Sequence, residues 1–372
     1  MHVVASRQRR GAEMFAADLT RDLRASGIEQ AVVVVNDRGP SQLVFDAPTH
    51  FLAPGGLGPS SLGRRPAALR ALVKRLEPRI VQAHGGEAFK HAVVATRGAS
   101  ATLVYRRIGS TPRWMAGDFR RAGLRLLMGR ADAIVAVADA LRIEMIEEFG
   151  VPPHRVVVIP NGVDLTRALP ERDRNETLEE LGLDANDRVI IVVGALNEEK
   201  NPLGALEAAV PALTGPPFAT IVFVGDGPLR GQVREEARSR GLSERVRFLG
   251  VRTDIADLLG ASDVLLMSSR TEGMPAAAIE AGIAGLPVVA PRLAGLPEVV
   301  VHGETGILTP AGDTAALGAA VSRLLEDEDE RHRLGEAGRN RCIARHDIKV
   351  VAARYLTLYD DLLPFALHES RG

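Results

Sequence analysis

The sequence predicts an α/β protein built as two doubly wound parallel-sheet units, and three observations carry that prediction. Short apolar, β-branched runs alternate with segments of helical period, the pattern of parallel strands covered on both faces by helices. At 372 residues the chain is too long for one ordinary core and suits two of similar size. The alternation is interrupted once, by a turn signal and a polar stretch between 160 and 175, and then restarts.

Taken in order, the first half offers strands at 31 to 35, 79 to 83, 101 to 105 and 133 to 137. The run Ala-Val-Val-Val-Val at 31 to 35 is the clearest, since β-branched residues fit a pleated surface buried on both sides. Helical periods fall at 12 to 26, 64 to 76, 86 to 97, 117 to 130 and 139 to 149. A strand at 156 to 159 leads into Pro160-Asn161-Gly162, and the polar stretch through Asn175 reads as an interdomain linker. The second half has strands at 188 to 194, 219 to 224, 246 to 249, 263 to 267, 287 to 290 and 306 to 308. Helices are expected at 202 to 213, 228 to 240, 253 to 260 and 275 to 284, with a last amphipathic pattern at 347 to 363. There is no low-complexity segment and no short-period repeat.

Composition narrows the class. With 46% hydrophobic and 25% charged residues the chain reads as globular, and no stretch approaches the roughly 18 uncharged apolar residues that span a bilayer. Met1 to Ser6 enter an apolar strand-like run without signal-peptide organisation, and Cys342 is alone, so no internal disulfide forms. A cytoplasmic enzyme is expected, with peripheral contact at the inner face of the membrane as a further expectation. That expectation rests on charge: residues 1 to 165 carry a net +8 and the remainder −9. A basic half suits an anionic partner such as a phospholipid surface or a phosphorylated acceptor, and nothing points to nucleic acid.

The most informative segment is Ser269-Arg270-Thr271-Glu272-Gly273-Met274-Pro275-Ala276-Ala277-Ala278-Ile279-Glu280. Gly273 suits a tight loop, Pro275 a first helical position, and the alanines that follow propagate a helix. Free amides at Ala276 and Ala277, together with the positive end of the dipole, make an anion site suited to phosphate. Eight residues of helix rotate by roughly 80° beyond two full turns and rise about 12 Å. Glu272 and Glu280 therefore cannot share a proton or a metal and must hold different parts of one long ligand.

That spacing resembles the Glu-x7-Glu motif of retaining family-4 glycosyltransferases, which have the GT-B fold of two Rossmann-like domains facing a central cleft. Further segments stand in the family's order: Val158 to Asp164, Val193 to Asn201, Val224 to Pro228, Phe248-Leu249-Gly250, Ala261 to Val264 and Gly295 to Val300. The resemblance implies an acceptor-binding domain over 1 to 165, a nucleotide-sugar-binding domain over 166 to 346, and a terminal helix, 347 to 372, crossing back to the first. It implies that Lys200 neutralises the donor diphosphate, that Glu280 accepts from the ribose hydroxyls and that Glu272 lies beside the transferred sugar. Gly225, Val251 and Arg252 fall on the remaining donor loops, and Gly273, Met274, Pro275, Ala276 and Ala277 on the phosphate-facing one. The family's usual Arg five residues before Lys200 is Ala195 here, which leaves the clamp one cation short.

In the first half, Arg10-Gly11-Ala12-Glu13 resembles the family's Gly-Gly-Ala-Glu loop with Arg10 in place of its first Gly, so Gly11 joins the donor-binding set and Arg10 the acceptor side. Arg106 and Arg107 stand where many relatives have a His, and His84 is the remaining imidazole on that side, expected to act in catalysis and acceptor binding. The basic series Arg106, Arg107, Arg113, Arg120, Arg121, Arg125 and Arg130, interleaved with Trp114, Phe119 and Leu126, fits either a membrane interface or the solvated side of a helix. The acidic run 326 to 330 contains an Asp-x-Asp pair but reads as a solvated face, so no metal and no cofactor are expected. The implied activity is retaining, metal-independent transfer of a sugar from a nucleotide diphosphate sugar, UDP favoured, to a hydroxyl of a lipid, glycan or small-molecule acceptor. An epimerase on the same fold and a catalytically weak nucleotide-sugar-binding homologue are the alternatives.

Overall fold

The computed structural model describes residues 1–37, 43–52, 61–110, 118–216 and 218–363. The chain divides into two compact units, Met1–Gly162 with Ile348–Gly372, and Val163–Asp347.

In the first unit, β1 (His2–Val4), β2 (Val32–Val34), β3 (Thr49–Phe51), β4 (Ile80–His84), β5 (Thr102–Arg107), β6 (Ala133–Ala136) and β7 (Val156–Val158) form one sheet. Its order is β3-β2-β1-β4-β5-β6-β7, and every pairing is parallel. Helices α1 (Gly11–Ala25), α2 (Ser61–Leu76), α3 (Gly85–Ala95), α4 (Asp118–Met128) and α5 (Asp139–Glu147) connect the strands. The sequence did not signal β3, because its three residues are half-buried to exposed and lack an apolar run.

The second unit repeats the plan with β8 (Arg188–Val193), β9 (Ala219–Val224), β10 (Val246–Gly250), β11 (Val264–Leu266), β12 (Val288–Pro291) and β13 (Gly306–Thr309). The order is β10-β9-β8-β11-β12-β13, again parallel throughout. Its helices are α6 (Leu165–Ala168), α7 (Arg174–Glu180), α8 (Pro202–Thr214), α9 (Arg230–Ser239), α10 (Ile255–Gly260), α11 (Ala276–Ala284), α12 (Leu296–Val299), α13 (Thr314–Glu326) and α14 (Glu328–His346). Each sheet reverses its winding once, between β1 and β4 and between β8 and β11. Loops at the carboxyl ends of those strands diverge and leave a crevice for ligand.

The expected linker through Asn175 is instead structured. Asp164 caps α6 by accepting from Thr166 N at 2.9 Å, and Asp173 caps α7 by accepting from Asn175 N at 2.8 Å. What reads as linker polarity is capping chemistry. The stretch between β13 and residue 347 also differs from the sequence reading, which gave no helix bounds there. Asp313 caps α13, and Asp327, inside the acidic run, caps α14 by accepting from Glu330 N at 2.8 Å. The buried face of α14 sets the small residues Gly335, Gly338 and Cys342 among Arg331, Leu334 and His346. A Cβ on Gly335 would stand 2.0 Å from the carbonyl oxygen of Gly285, so the helix approaches the end of α11 with no room for a large apolar stripe.

The terminal helix α15 (Ile348–Leu362) packs on α1 in the first unit. Ile348, Val351, Tyr355, Leu358 and Tyr359 share a core with Phe15, Leu19 and Leu23.

Candidate active site

Two loops of the second unit are tied together where β8 and β11 end. Asn201 closes the loop before α8 with φ 50° and ψ 56°, a left-handed conformation that Asn tolerates better than most residues. Its Nδ2 donates to Ser268 O at 3.2 Å, while Ser268 Oγ donates back to Asn201 O at 2.7 Å. The Lys200 amide donates to Asn197 Oδ1 at 3.0 Å. These bonds fix the backbone of Lys200 against the end of β11, and its side chain follows. Lys200 Nζ reaches Glu272 Oε1 at 2.6 Å, and Ser269 Oγ donates to that same oxygen at 2.7 Å. The Glu272 side chain is 6% exposed and that of Lys200 34%, so the cation is the member of the pair that faces solvent.

Helix α11 opens directly beyond Glu272. Pro275 is its N-cap, with φ −73° and ψ 126° and no side-chain cap. Ala276 is therefore the first helical residue, one position later than the sequence reading put it. The starting amides, those of Ala276 and Ala277 included, have no partner within the helix. Gly273 O accepts from Gly295 N at 2.8 Å, which pins the loop to the one after β12, and Met274 is buried beneath it. Two turns along, Glu280 Oε1 pairs with Arg167 Nη1 of α6 at 3.0 Å.

The other donor-side expectations lie around β9 and β10. Gly225 packs so tightly on the end of β8 that a Cβ would meet Gly194 O at 2.0 Å, and its amide donates to Gly250 O at 2.7 Å. Val251 is 58% exposed. Arg252 is held by carboxylates, Asp254 and Glu180, and its guanidinium brings the Asp254 carboxyl down to about 2. In this structure Arg252 is thus paired with two carboxylates of its own unit.

In the first unit, Gly11 is the first residue of α1 and Arg10 its exposed N-cap. Glu13 is buried in the first turn, accepts from Ser6 Oγ at 3.2 Å, and has its carboxyl pushed up by burial. His84 ends β4 and is 3% exposed. Its Nε2 lies 3.0 Å from His2 Nδ1, and His2 Nε2 lies 2.8 Å from Gln30 Oε1. Burial holds both imidazoles below their ordinary range, His2 at about 3, with Arg106 adding to the effect at His84. Arg106 is wholly buried, with its guanidinium 3.7 Å above the Phe15 ring and donating to Asn161 Oδ1. Arg107 pairs with Glu144 at 3.1 Å. His84, Arg106 and Arg107 are therefore members of a polar core at the carboxyl edge of the sheet. These three residues, expected on the acceptor side, are thus all buried, a property that sequence spacing does not carry.

Of the basic series, Arg113 and Trp114 lie outside the described residues. Arg125 donates to Glu148 O at 2.7 Å, and Leu126 is 68% exposed. Among the described residues no helix is long and apolar enough to cross a membrane. Sequence reasoning missed Asn201, Ser268 and Arg167, whose contacts are distant along the chain, and Ser269, which lies three residues from Glu272 but is an ordinary serine until the loop folds.

Comparison with known proteins supplies the family. The model of Glycosyltransferase Family 4 matches residues 9–167, and that of Glycosyl transferases group 1 matches 173–341. The N-acetyl-alpha-D-glucosaminyl L-malate synthase of Bacillus anthracis is 28% identical over 64% of this chain and 62% of its own length. The Escherichia coli UDP-Gal:alpha-D-GlcNAc-diphosphoundecaprenol alpha-1,3-galactosyltransferase is 36% identical over 49% of this chain and 48% of its own. The chain thus spans roughly half to six tenths of these curated relatives. Among solved structures, a glycosyltransferase of Rickettsia africae superposes with TM-score 0.82 at 17% identity, covering 98% of each chain. Anabaena HepE, solved in complex with UDP and glucose, superposes with TM-score 0.81 at 22% identity, covering 97% of this chain and all of that one.

Proposed function

The chain belongs to glycosyltransferase family 4, and from that premise we propose that it moves a sugar from a UDP-sugar to an acceptor hydroxyl with retention of anomeric configuration. The observation that carries the reading is the Lys200–Glu272 pair at the mouth of α11, with Glu280 two turns further along. A nucleotide diphosphate sugar has three parts in the same sequence: a sugar, a diphosphate and a ribose. In this reading the sugar meets Glu272, the diphosphate meets Lys200 and the starting amides of α11, and the ribose hydroxyls meet Glu280.

Departure of the nucleoside diphosphate builds negative charge on its terminal phosphate. A preoriented ammonium and helix amides stabilise that charge without reorganising, which is where such sites lower a barrier most. Among the described residues the carboxylate nearest the sugar in this reading, Glu272, is held by Lys200 and Ser269, so attack from the face that the phosphate leaves, with that phosphate taking the acceptor proton, is the route to retention that we propose. The HepE complex with UDP and glucose supports UDP as the first nucleotide to test. The galactosyltransferase that acts on a diphosphoundecaprenol-linked sugar supports lipid-linked acceptors as the first class to screen. Peripheral contact with a membrane through the basic first unit is part of the same proposal.

The test is a panel of UDP- and GDP-sugars with and without acceptor hydroxyls, read by release of nucleotide and by NMR of the new anomeric centre. Nucleotide release coupled to an axial product from an axial donor is expected. Epimerised donor without release would assign the chain to the other chemistry, and binding without either product would make it a binding protein.

A further inference from the structure

We infer that Arg167 is a positioning residue for nucleotide recognition, which holds Glu280 so that its carboxylate reads the ribose hydroxyls; the inference rests on the donor reading of the site given above. Arg167 lies on α6, at the start of the second unit and outside the Glu-x7-Glu segment, the Lys200 loop and the glycine-rich turns. Its Nη1 is 3.0 Å from Glu280 Oε1, across 113 residues of sequence. The Glu280 side chain is 15% exposed and that of Arg167 28%, so the contact is partly withdrawn from water and is not a fully solvated ion pair.

The local construction favours a fixed arginine. Asp164 caps α6 through both the amide and the hydroxyl of Thr166, at 2.9 and 2.8 Å, and so sets the backbone from which Arg167 projects. Glu280 sits on the regular part of α11 with Ala276 and Ala277 one turn before it, residues that cannot steer a carboxylate. A glutamate on a helix has three rotatable bonds, and losing that freedom opposes binding when ligand must impose it. An ion pair formed before ligand arrives removes that cost and directs one oxygen to Arg167. A carboxylate has about four lone-pair directions, so an oxygen bonded to the guanidinium still leaves acceptor capacity for a ribose hydroxyl. A guanidinium suits this task better than an ammonium because its planar fork fixes the plane of the carboxylate as well as its position.

The readout is selectivity for hydroxyls, which a merely structural role would leave unchanged. Calorimetry compares UDP with 2′,3′-dideoxy-UDP on the intact chain and on Arg167→Ala, Arg167→Lys and Glu280→Ala. The parent is expected to prefer UDP by about tenfold or more, as follows from hydrogen bonds to a charged acceptor. In Arg167→Ala the preference should fall to within about threefold, with Arg167→Lys between the two, and Glu280→Ala adding little to Arg167→Ala, since the two act as one unit. Equal weakening of both nucleotides, with the preference retained, overturns the positioning role. So does tighter UDP binding by Arg167→Ala, which would make the arginine a competitor for Glu280. If the parent binds neither nucleotide, the donor reading itself fails, and that outcome is distinct from the other two.

Discussion

Glu272 Oε1 accepts from both Lys200 Nζ and Ser269 Oγ, so Lys200 has two duties in the proposed reaction. It is the counter-ion of a buried carboxylate before donor binds and the cation that faces the diphosphate afterwards. Lys200→Ala is expected to lower turnover by at least about 10²-fold in single-turnover assays with saturating donor. It should also cost about 1 to 3 kcal/mol of stability, because the glutamate loses its buried partner. Adding Glu272→Gln to that variant separates the duties: the melting temperature should recover while turnover stays low. A Lys200→Ala enzyme within about threefold of the parent contradicts the leaving-group role. Glu280→Ala tests the other end of the ligand and should weaken UDP binding by about 1.5 to 3 kcal/mol by calorimetry. Both glutamates and the lysine are legible in sequence because their chemistry is carried by local spacing and flanking glycine, proline and alanine. Ser269 and Arg167 are ordinary residues until the fold sets them beside those carboxylates, one three positions from its target and the other 113 away.

At the scale of elements, strands and helices with large apolar faces are readable, and those held by caps or small residues are not. Strands β8, β9 and β12 follow β-branched runs, whereas α6 and α7 depend on Asp164 and Asp173, and α14 on a seam of Gly335, Gly338 and Cys342. The site shows the same division in the loop between β12 and α12. Ala294 stands there at φ 30°, one residue before the Gly295 amide that holds Gly273 O at 2.8 Å. A side chain in the left-handed region costs roughly 1 to 2 kcal/mol, while glycine loses about 0.4 to 1 kcal/mol through its freer unfolded chain. Ala294→Gly is therefore expected to leave stability unchanged or raise it slightly in thermal melts. Ala294→Val, β-branched at a position that disfavours any Cβ substituent, should destabilise by more than about 1 kcal/mol and loosen the Glu272 loop enough to raise KM for donor. A well-tolerated Val variant with parental KM would show that this tether does not support the site.

For the whole molecule, the charge division between a basic first half and an acidic second half was legible from composition, but the polar interior of the first unit was not. Nothing in the sequence says that His2 and His84, 82 residues apart, meet at 3.0 Å inside the sheet's edge. Their meeting has a pH consequence whose sign follows from burial. Desolvation first, and the neighbouring positive charge second, lower both folded-state values, His2 to about 3, from an ordinary 6.5. Below pH 6.5 the unfolded chain takes up protons that the folded chain refuses, so stability is full above that value and is lost as pH falls toward the folded-state values. At pH 5 the loss is about 2 kcal/mol for His2, and His84 adds to it with the same sign. Carboxylates that are paired in the fold begin to contribute only nearer pH 4, whereas the buried Met1 amine, lowered to about 5 from 8.0, and the buried Glu13 carboxyl, pushed up, also titrate in this unit, so the histidine share is the part of the slope that replacing both imidazoles removes. Calorimetry across the interval from about pH 6.5 to 4.5, with limited proteolysis to identify which unit opens, should show the transition of the first unit moving down steadily. His2→Asn combined with His84→Asn removes both imidazoles, and the transition of that variant should fall less over the same interval, whatever its starting stability. An unchanged slope in the double variant would mean that the imidazoles are not the acid-sensitive element and that the response comes from the unit's other titrating groups, the buried Met1 amine first among them.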